Sequence, residues 1–329
     1  MNRARIVGTG MAVPDKILTN ADLERMVDTT DEWIVSRTGI RERHIATADE
    51  ALSDFAVPAA ERALEMAGIP GGEVDLVICA TVSPDTPFPA TSTQIQAAIG
   101  ADGAAAFDIS AACTGFIYGL GIANQYLRAG GARTALVVGG EILSKFTDWT
   151  DRNTCVLFGD GAGAAVLRAE NGGNGDRGIL GVSLHSDGDL GYLLQRPAGG
   201  SRKPPSLRDL EADQSFIKMR GNETFKIAVR SLAEVSDEVL KDAGIDHEQV
   251  DWFIPHQANL RIIEAVGRRL EIRDGHTYVN IERFGNTSAA SVPIALDELN
   301  RAGKIAEGDV VLCAAFGSGL VWGAGLFRW

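Results

Sequence analysis

Three side chains that can cooperate in thiol chemistry stand at turn positions in this chain. Cys113 lies in AFDISAACTGFIYGL, between a strand-like stretch and a helical one. A thiol at a helix start faces unpaired N–H groups and the positive end of the helix dipole, and both favour the nucleophilic thiolate. His256 lies in PHQANLRII. Pro255 stops any helix arriving from upstream and a helical pattern follows, so the imidazole is placed at a strand end, where site residues collect in α/β folds. Asn286 lies in FGNTSAAS, which also reads as an ordinary helix cap. Taken singly, an inert buried Cys, a structural His and a capping Asn are the commoner occurrences. Cys79 and Cys313 fall inside apolar strand-like runs and Cys155 precedes VLFGDGAG, all of which read as core.

The elements that must position these groups show in the hydrophobic pattern. Apolar runs at 74–81, 134–141, 164–169, 250–256 and 310–317 read as strands. Helical periodicity occupies 51–67, 92–99, 114–128, 222–242, 259–270 and 288–302. Such alternation predicts an α/β protein with helices packed on sheets. An internal repeat adds to this. ALEMAGIPGGEVDLVICA (63–80) matches VLKDAGIDHEQVDWFIPH (239–256), and CTGFIYGLGIANQYLRAG (113–130) matches NTSAASVPIALDELNRAG (286–303). Cys113 then coincides with Asn286, and His256 with Ala80. Two halves, 1–172 and 173–329, are expected, joined in the Gly-rich ENGGNGDRG (170–178). If they pack about a pseudo-two-fold axis, both helix starts converge and one pocket holds all three side chains. A second polar stretch, RPAGGSRKPPSLRD (196–209), reads as a long loop, disordered or covering a site.

Composition narrows the chemistry. The 329 residues carry a net charge of −13, which disfavours nucleic acid and anionic membranes as partners. Four cysteines without a CxxC and five histidines without HExxH predict no metal site and no disulfide scaffold. MNRARIVGTGMAVPD lacks a signal-type apolar region and no apolar run approaches ~18 residues, so a cytoplasmic location is expected. There is no GxxxxGK[ST] and no GxSxG, and neither GDGAGAA (159–165) nor AFGSGLVWG (315–323) forms a dinucleotide fingerprint. Nucleotide hydrolysis, serine hydrolysis and hydride transfer lose support, and no cofactor is expected. AFGSGLVWG instead offers backbone N–H groups to an oxyanion.

In these motifs the chain resembles the β-ketoacyl-[acyl-carrier-protein] synthase III family of the thiolase superfamily. The resemblance spans nearly the whole length. It is carried by TNADLERMVDTTDEWIVSRTGIRERHIA (19–46), DISAACTGFIYGL (108–120), VLFGDGAGAAVL (156–167), MRGNETFKIAV (219–229), PHQANLRII (255–263), RFGNTSAASVP (283–293) and AFGSGLVWG. It implies a thiolase-like five-layer αβαβα fold with mixed sheets. The family's Cys-His-Asn triad falls on Cys113, His256 and Asn286. Elongating synthases carry a second His where this chain has Asn286, so the initiating class is implied, with an acyl-CoA primer, malonyl-acyl carrier protein and an acyl-Cys intermediate. By the same resemblance, the backbone N–H groups of Cys113 and Ser318 form the oxyanion hole; the family usually has Gly at the second place. Thr29, Trp33, Arg37, Arg152 and Asn222 match coenzyme A contacts, with Trp33 and Arg152 sandwiching the adenine. Lys226, Arg261, Arg268 and Arg269 match a carrier-protein patch. Phe88 matches a residue that crosses a homodimer interface to bound the partner's acyl pocket. Alternative readings are a related synthase or acyltransferase of secondary metabolism, and a non-catalytic acyl-CoA-binding relative.

Overall fold

The computed structural model describes residues 3–170, 177–211 and 214–329. Two sheets form its scaffold. The first contains β1 (Arg3–Ala12), β2 (Leu76–Ala80), β3 (Ala105–Ile109), β4 (Thr134–Glu141) and β5 (Gly161–Glu170), in the spatial order β1-β5-β4-β2-β3. The second contains β6 (Gly178–Ser186), β7 (Trp252–Pro255), β8 (Val310–Gly317) and β9 (Val321–Arg328), in the order β7-β8-β9-β6. Strand β2 runs parallel to β3 and β4, while β5 is antiparallel to both β4 and β1. The second sheet repeats these directions: β7 is parallel to β8, and β9 is antiparallel to β8 and β6. In place of a β3 counterpart it has one parallel bridge, Phe253 to Thr277. Ala80 ends β2 and His256 follows β7, at matching ends of matching strands.

Seven longer helices accompany these sheets: α1 (Asp31–Thr38), α2 (Ser53–Ala67), α3 (Thr91–Ala98), α4 (Gly115–Arg128), α5 (Gly221–Ala243), α6 (Leu260–Arg269) and α7 (Ser291–Arg301). The central core joins Phe116, Ile117 and Leu120 of α4 and Val292, Leu296 and Leu299 of α7 to Ile78 and Val137 of one sheet and Ile254 and Val311 of the other. On the outer face of the first sheet, Phe55, Ala59 and Ala63 of α2 pack on Val77 and Val138. On the outer face of the second, Leu232, Val235 and Val239 of α5 pack on Phe253 and Leu312. The result is the five-layer αβαβα arrangement. Covered on both faces, β4 is buried throughout, which is why TALVVGGE reads as a continuous apolar run and not an alternating one.

The hydrophobic pattern locates the central strands and overlooks others. Strands β1 (RARIVGTGMA) and β9 (VWGAGLFR) interleave glycine and arginine with their apolar residues, so their pattern is weak. Ladder pairing with β5 and β8 supplies what propensity lacks. Helix α1 also escapes notice; Thr30 caps its start and Gly39, at φ 81°, ends it. The segment at 288–302 opens as a 3₁₀ turn, Ser288–Ala290, and becomes α-helical only at Ser291. The junction expected at 172/173 lies outside the described residues. The polar stretch at 196–209 lays Arg196 over the Phe146 ring, 4.0 Å from its centroid. Among the described residues no helix is long and apolar enough to cross a membrane.

One contact draws the layers together. A Cβ on Gly139 of β4 would lie 2.2 Å from the carbonyl oxygen of Ala289, in the turn before α7. Backbone touches backbone there, so Gly139→Ala forces the turn away from the sheet. We expect it to lower stability by about 1–3 kcal/mol in urea unfolding. Gly72→Ala, whose new Cβ meets nothing nearer than 3.9 Å, should stay within about 0.5 kcal/mol.

Candidate active site

Cys113 occupies the 3₁₀ turn Ala112–Thr114 between β3 and α4. Ala112 enters it at φ 44°, a left-handed conformation costing a non-glycine residue about 1 kcal/mol or more. The residue before Asn286, Gly285, is also left-handed at φ 63°. The end of β8 closes on the Cys113 turn: a Cβ on Gly317 would sit 2.7 Å from the Cys113 nitrogen.

The turn Ser288–Ala290 and the first residue of α7 link the three predicted residues. The Ser288 N–H donates to Asn286 Oδ1 at 2.9 Å. With its oxygen held, the carboxamide keeps its NH₂ for another acceptor. The Ser288 hydroxyl lies beside the Cys113 thiol and donates to Glu141 Oε1 at 3.2 Å. Three residues on, Ser291 Oγ lies 2.5 Å from His256 Nδ1, and the His256 N–H donates to the Ala314 carbonyl at 2.7 Å. Cys113 and Asn286 therefore meet at Ser288, and His256 joins through Ser291. Both His256 and Asn286 are buried.

Dryness sets the protonation states. Burial lowers His256 to about 3, so its imidazole is neutral at any physiological pH. Cys113 keeps some solvent contact, yet burial pushes its thiol up to about 12; Ser288 opposes the rise, and nearby Glu141 adds to it. This corrects the expectation of a resting thiolate. A helix N-terminus contributes at most ~2 kcal/mol, and one pKa unit is ~1.4 kcal/mol, so the dipole cannot undo burial. Cys79, Cys155 and Cys313 are buried and free.

Glu141 is a site residue that sequence reasoning passed over. It is fully buried at the end of β4 and meets only neutral donors: the Thr81, Ser83 and Ser288 hydroxyls and the Val82 N–H. Burial lifts its carboxyl to about 7. An acid ending a wholly apolar strand was the available signal. Ser288, at φ 49°, and Ser291 left none, because buried serines have no telling spacing.

Other predicted residues are spread over the surface. Ser318 follows β8 outside the left-handed region, so serine suits this place; its hydroxyl donates to the Leu194 carbonyl and ties the turn down. Arg37 and Arg152 both lie over Trp33, at 4.8 and 5.2 Å from the ring centroid. A base stacked between ring and guanidinium needs about 7 Å, two ~3.5 Å contacts. Arg152, bonded to the Asp28 carbonyl at 2.8 Å, must therefore swing aside to form the expected sandwich. Thr29 Oγ1 is buried without a partner beside this stack. Asn222 and Lys226 are exposed along α5, and Arg261, Arg268 and Arg269 along α6. Arg261 lies over Phe225, 5.5 Å from the centroid, which puts it next to Lys226; Arg268 pairs with Glu264 at 3.7 Å. Phe88 is 85% exposed.

A thiol with so high a pKa makes a testable statement. Alkylation of Cys113 by iodoacetamide, followed by mass spectrometry, should accelerate about tenfold per pH unit from pH 7 to 10, with no plateau. A plateau below pH 8 would show a stabilised thiolate.

Comparison with known proteins places this arrangement. Residues 107–188 match the family description 3-oxoacyl-[acyl-carrier-protein] synthase III, and residues 240–329 match its C-terminal counterpart. The chain is 51% identical to the β-ketoacyl-[acyl-carrier-protein] synthase III of Natranaerobius thermophilus, over 100% of both chains. It is 53% identical to that of Caldanaerobacter subterraneus subsp. tengcongensis, over 99% of this chain and 98% of the relative. The crystal structure of 3-oxoacyl-[acyl-carrier-protein] synthase III from Aquifex aeolicus VF5 superposes with a TM-score of 0.91 at 47% identity, covering 99% of this chain and 100% of that one. A thiol, an imidazole and a carboxamide linked through Ser288 and Ser291 on a doubled sheet scaffold fit that family, and full-length identity near one half shows that this chain belongs to the β-ketoacyl-[acyl-carrier-protein] synthase III family.

Proposed function

We propose that the protein condenses an acyl-CoA primer with malonyl-acyl carrier protein through an acyl-Cys113 intermediate, initiating type II fatty acid synthesis in the cytoplasm as a homodimer. The observation that carries this is the linkage of Cys113 and Asn286 through Ser288 and of His256 through Ser291, in a chain of this family.

In the first half-reaction the Cys113 sulfur attacks the primer's thioester carbon. The bond to the CoA sulfur breaks, and the proton lost by Cys113 ends on CoA. Charge on the carbonyl oxygen is met by the Cys113 and Ser318 N–H groups. In the second, the malonyl thioester loses CO₂ and charge moves to its carbonyl oxygen. Neutral His256 and the free NH₂ of Asn286 donate to that enolate. Its carbon attacks the acyl-enzyme, the bond to Cys113 breaks, and the sulfur takes a proton from solvent. A cationic imidazole is not required; a fixed dipole in a dry site stabilises charge without reorganisation.

At the surface, Trp33 and Arg152 receive the adenine, Arg37 meets phosphate, and Thr29 and Asn222 flank the nucleotide and its arm. Lys226, Arg261, Arg268 and Arg269 dock the acidic carrier protein. Arg268 contributes least, being already paired. The exposed Phe88 meets the partner subunit.

The direct test is product analysis. Purified protein with malonyl-acyl carrier protein and a panel of acyl-CoA primers should yield 3-oxoacyl-carrier proteins, and absence of such products with every primer overturns the proposal. Cys113→Ala should abolish acyl transfer. His256→Ala and Asn286→Ala should each slow decarboxylation about 10²–10³-fold while leaving measurable acylation of Cys113; equal loss of both steps contradicts the division of labour. With His256 depressed to about 3, decarboxylation should show no inflection near pH 6.5. Arg261→Glu should raise KM for the carrier protein, flatten its salt dependence and spare priming.

A further inference from the structure

The neutral imidazole of His256 has two tautomers, and only one can donate from Nε2. Its other nitrogen, Nδ1, is 2.5 Å from Ser291 Oγ. Ser291 is buried at the first position of α7. A hydroxyl has one hydrogen to give and two lone pairs. One of those lone pairs faces the Gln257 N–H, at 3.4 Å. Among the described residues no carbonyl or carboxylate oxygen is within hydrogen-bond reach of Ser291 Oγ. If Nδ1 carried the proton and pointed it at Ser291, the serine hydrogen would be left buried and unmatched, a loss of about 1–3 kcal/mol. If Nδ1 is the acceptor, the Ser291 hydrogen, Nδ1 and the Gln257 N–H are all matched, and the Nε2–H stays free for a substrate.

The neighbouring turn is braced for this. Gln257 Nε2 donates to the Pro255 carbonyl at 2.8 Å and the Tyr278 carbonyl at 3.2 Å, and Gln257 Oε1 accepts from the Asn280 N–H at 3.0 Å. The His256 N–H is held by Ala314. The backbone that carries the ring is therefore fixed, and turning the ring over breaks its bond to Ser291.

We propose that Ser291 is a positioning residue that locks His256 in the Nε2–H tautomer, making it a standing hydrogen-bond donor and not a base. The inference rests on the proposed function in one respect, that His256 donates to the enolate. A consequence follows for the thiol. In this tautomer Nε2 has no lone pair to take the Cys113 proton, so acylation proceeds without His256 as base.

The test begins with no substrate. Protein labelled with ¹⁵N-histidine is examined by long-range proton–nitrogen correlation, with His256→Ala used only to assign the signal. We expect a protonated Nε2 and a bare Nδ1 from pH 6 to 8. In Ser291→Ala the preference should collapse to a mixture. Decarboxylation of malonyl-carrier protein should then fall on the order of tenfold to a hundredfold, the usual effect of removing a group that orients an imidazole. Acylation of Cys113 should stay within about twofold, since the imidazole takes no part in it. Ser291→Thr, which keeps the hydroxyl, should restore both the tautomer and decarboxylation. A protonated Nδ1 in the unmodified protein overturns the inference, as does a Ser291→Ala variant with unchanged tautomer and rate. Should either variant fail to fold, the spectrum of the unmodified protein still decides. An Nε2–H tautomer in a protein that condenses nothing upholds the inference and overturns the proposed function alone.

Discussion

The site depends on backbone meeting backbone where the two sheets and their shared helices come together. Strand β4 touches the Ala289 carbonyl because Gly139 has no side chain, and β8 touches the Cys113 nitrogen because Gly317 has none. Those approaches press the turn Ala112–Thr114 against the turn Ser288–Ala290. A methyl group at either point separates them by the distance on which every polar contact of the site relies. Close packing transmits such displacements instead of absorbing them.

From that closeness comes a nearly dry site whose polar groups are almost all neutral. The thiol is protonated, the imidazole is uncharged, and the one carboxyl is shifted toward neutrality. None of these states suits a catalyst that works by ready-made charge. They suit one in which charge appears only during reaction and meets donors already aimed at it. The serines are central to this arrangement. Ser288 fixes the amide of Asn286 and bridges Cys113 to Glu141, and Ser291 holds the imidazole.

The outside of the molecule follows other rules. A chain of net charge −13 places exposed arginines on α6 and around Trp33. In the Arg37–Trp33–Arg152 stack the guanidinium groups occupy the faces that a base would need under the proposed reading. Filling it requires a side-chain swing, at little cost for an exposed arginine.

The alternation of apolar runs and helical periods was enough to read an α/β protein, and central strands such as β4 and β8 were legible because burial on both faces leaves mostly apolar residues. Cys113 and Asn286 were legible as a pair because the repeat superposes them. Strands β1 and β9 were not, since glycines that permit close packing also erase the hydrophobic period. Glu141 was legible only as an acid closing an apolar strand, and Ser288 and Ser291 could not be read from residue type or spacing. Tertiary structure also decided the sign of the Cys113 shift: sequence shows the helix start that favours thiolate, but only the folded chain shows how much protein surrounds the sulfur. Local order records what each segment prefers. Desolvation and hydrogen-bond partnership belong to groups distant in the chain, and exist only once the layers have closed.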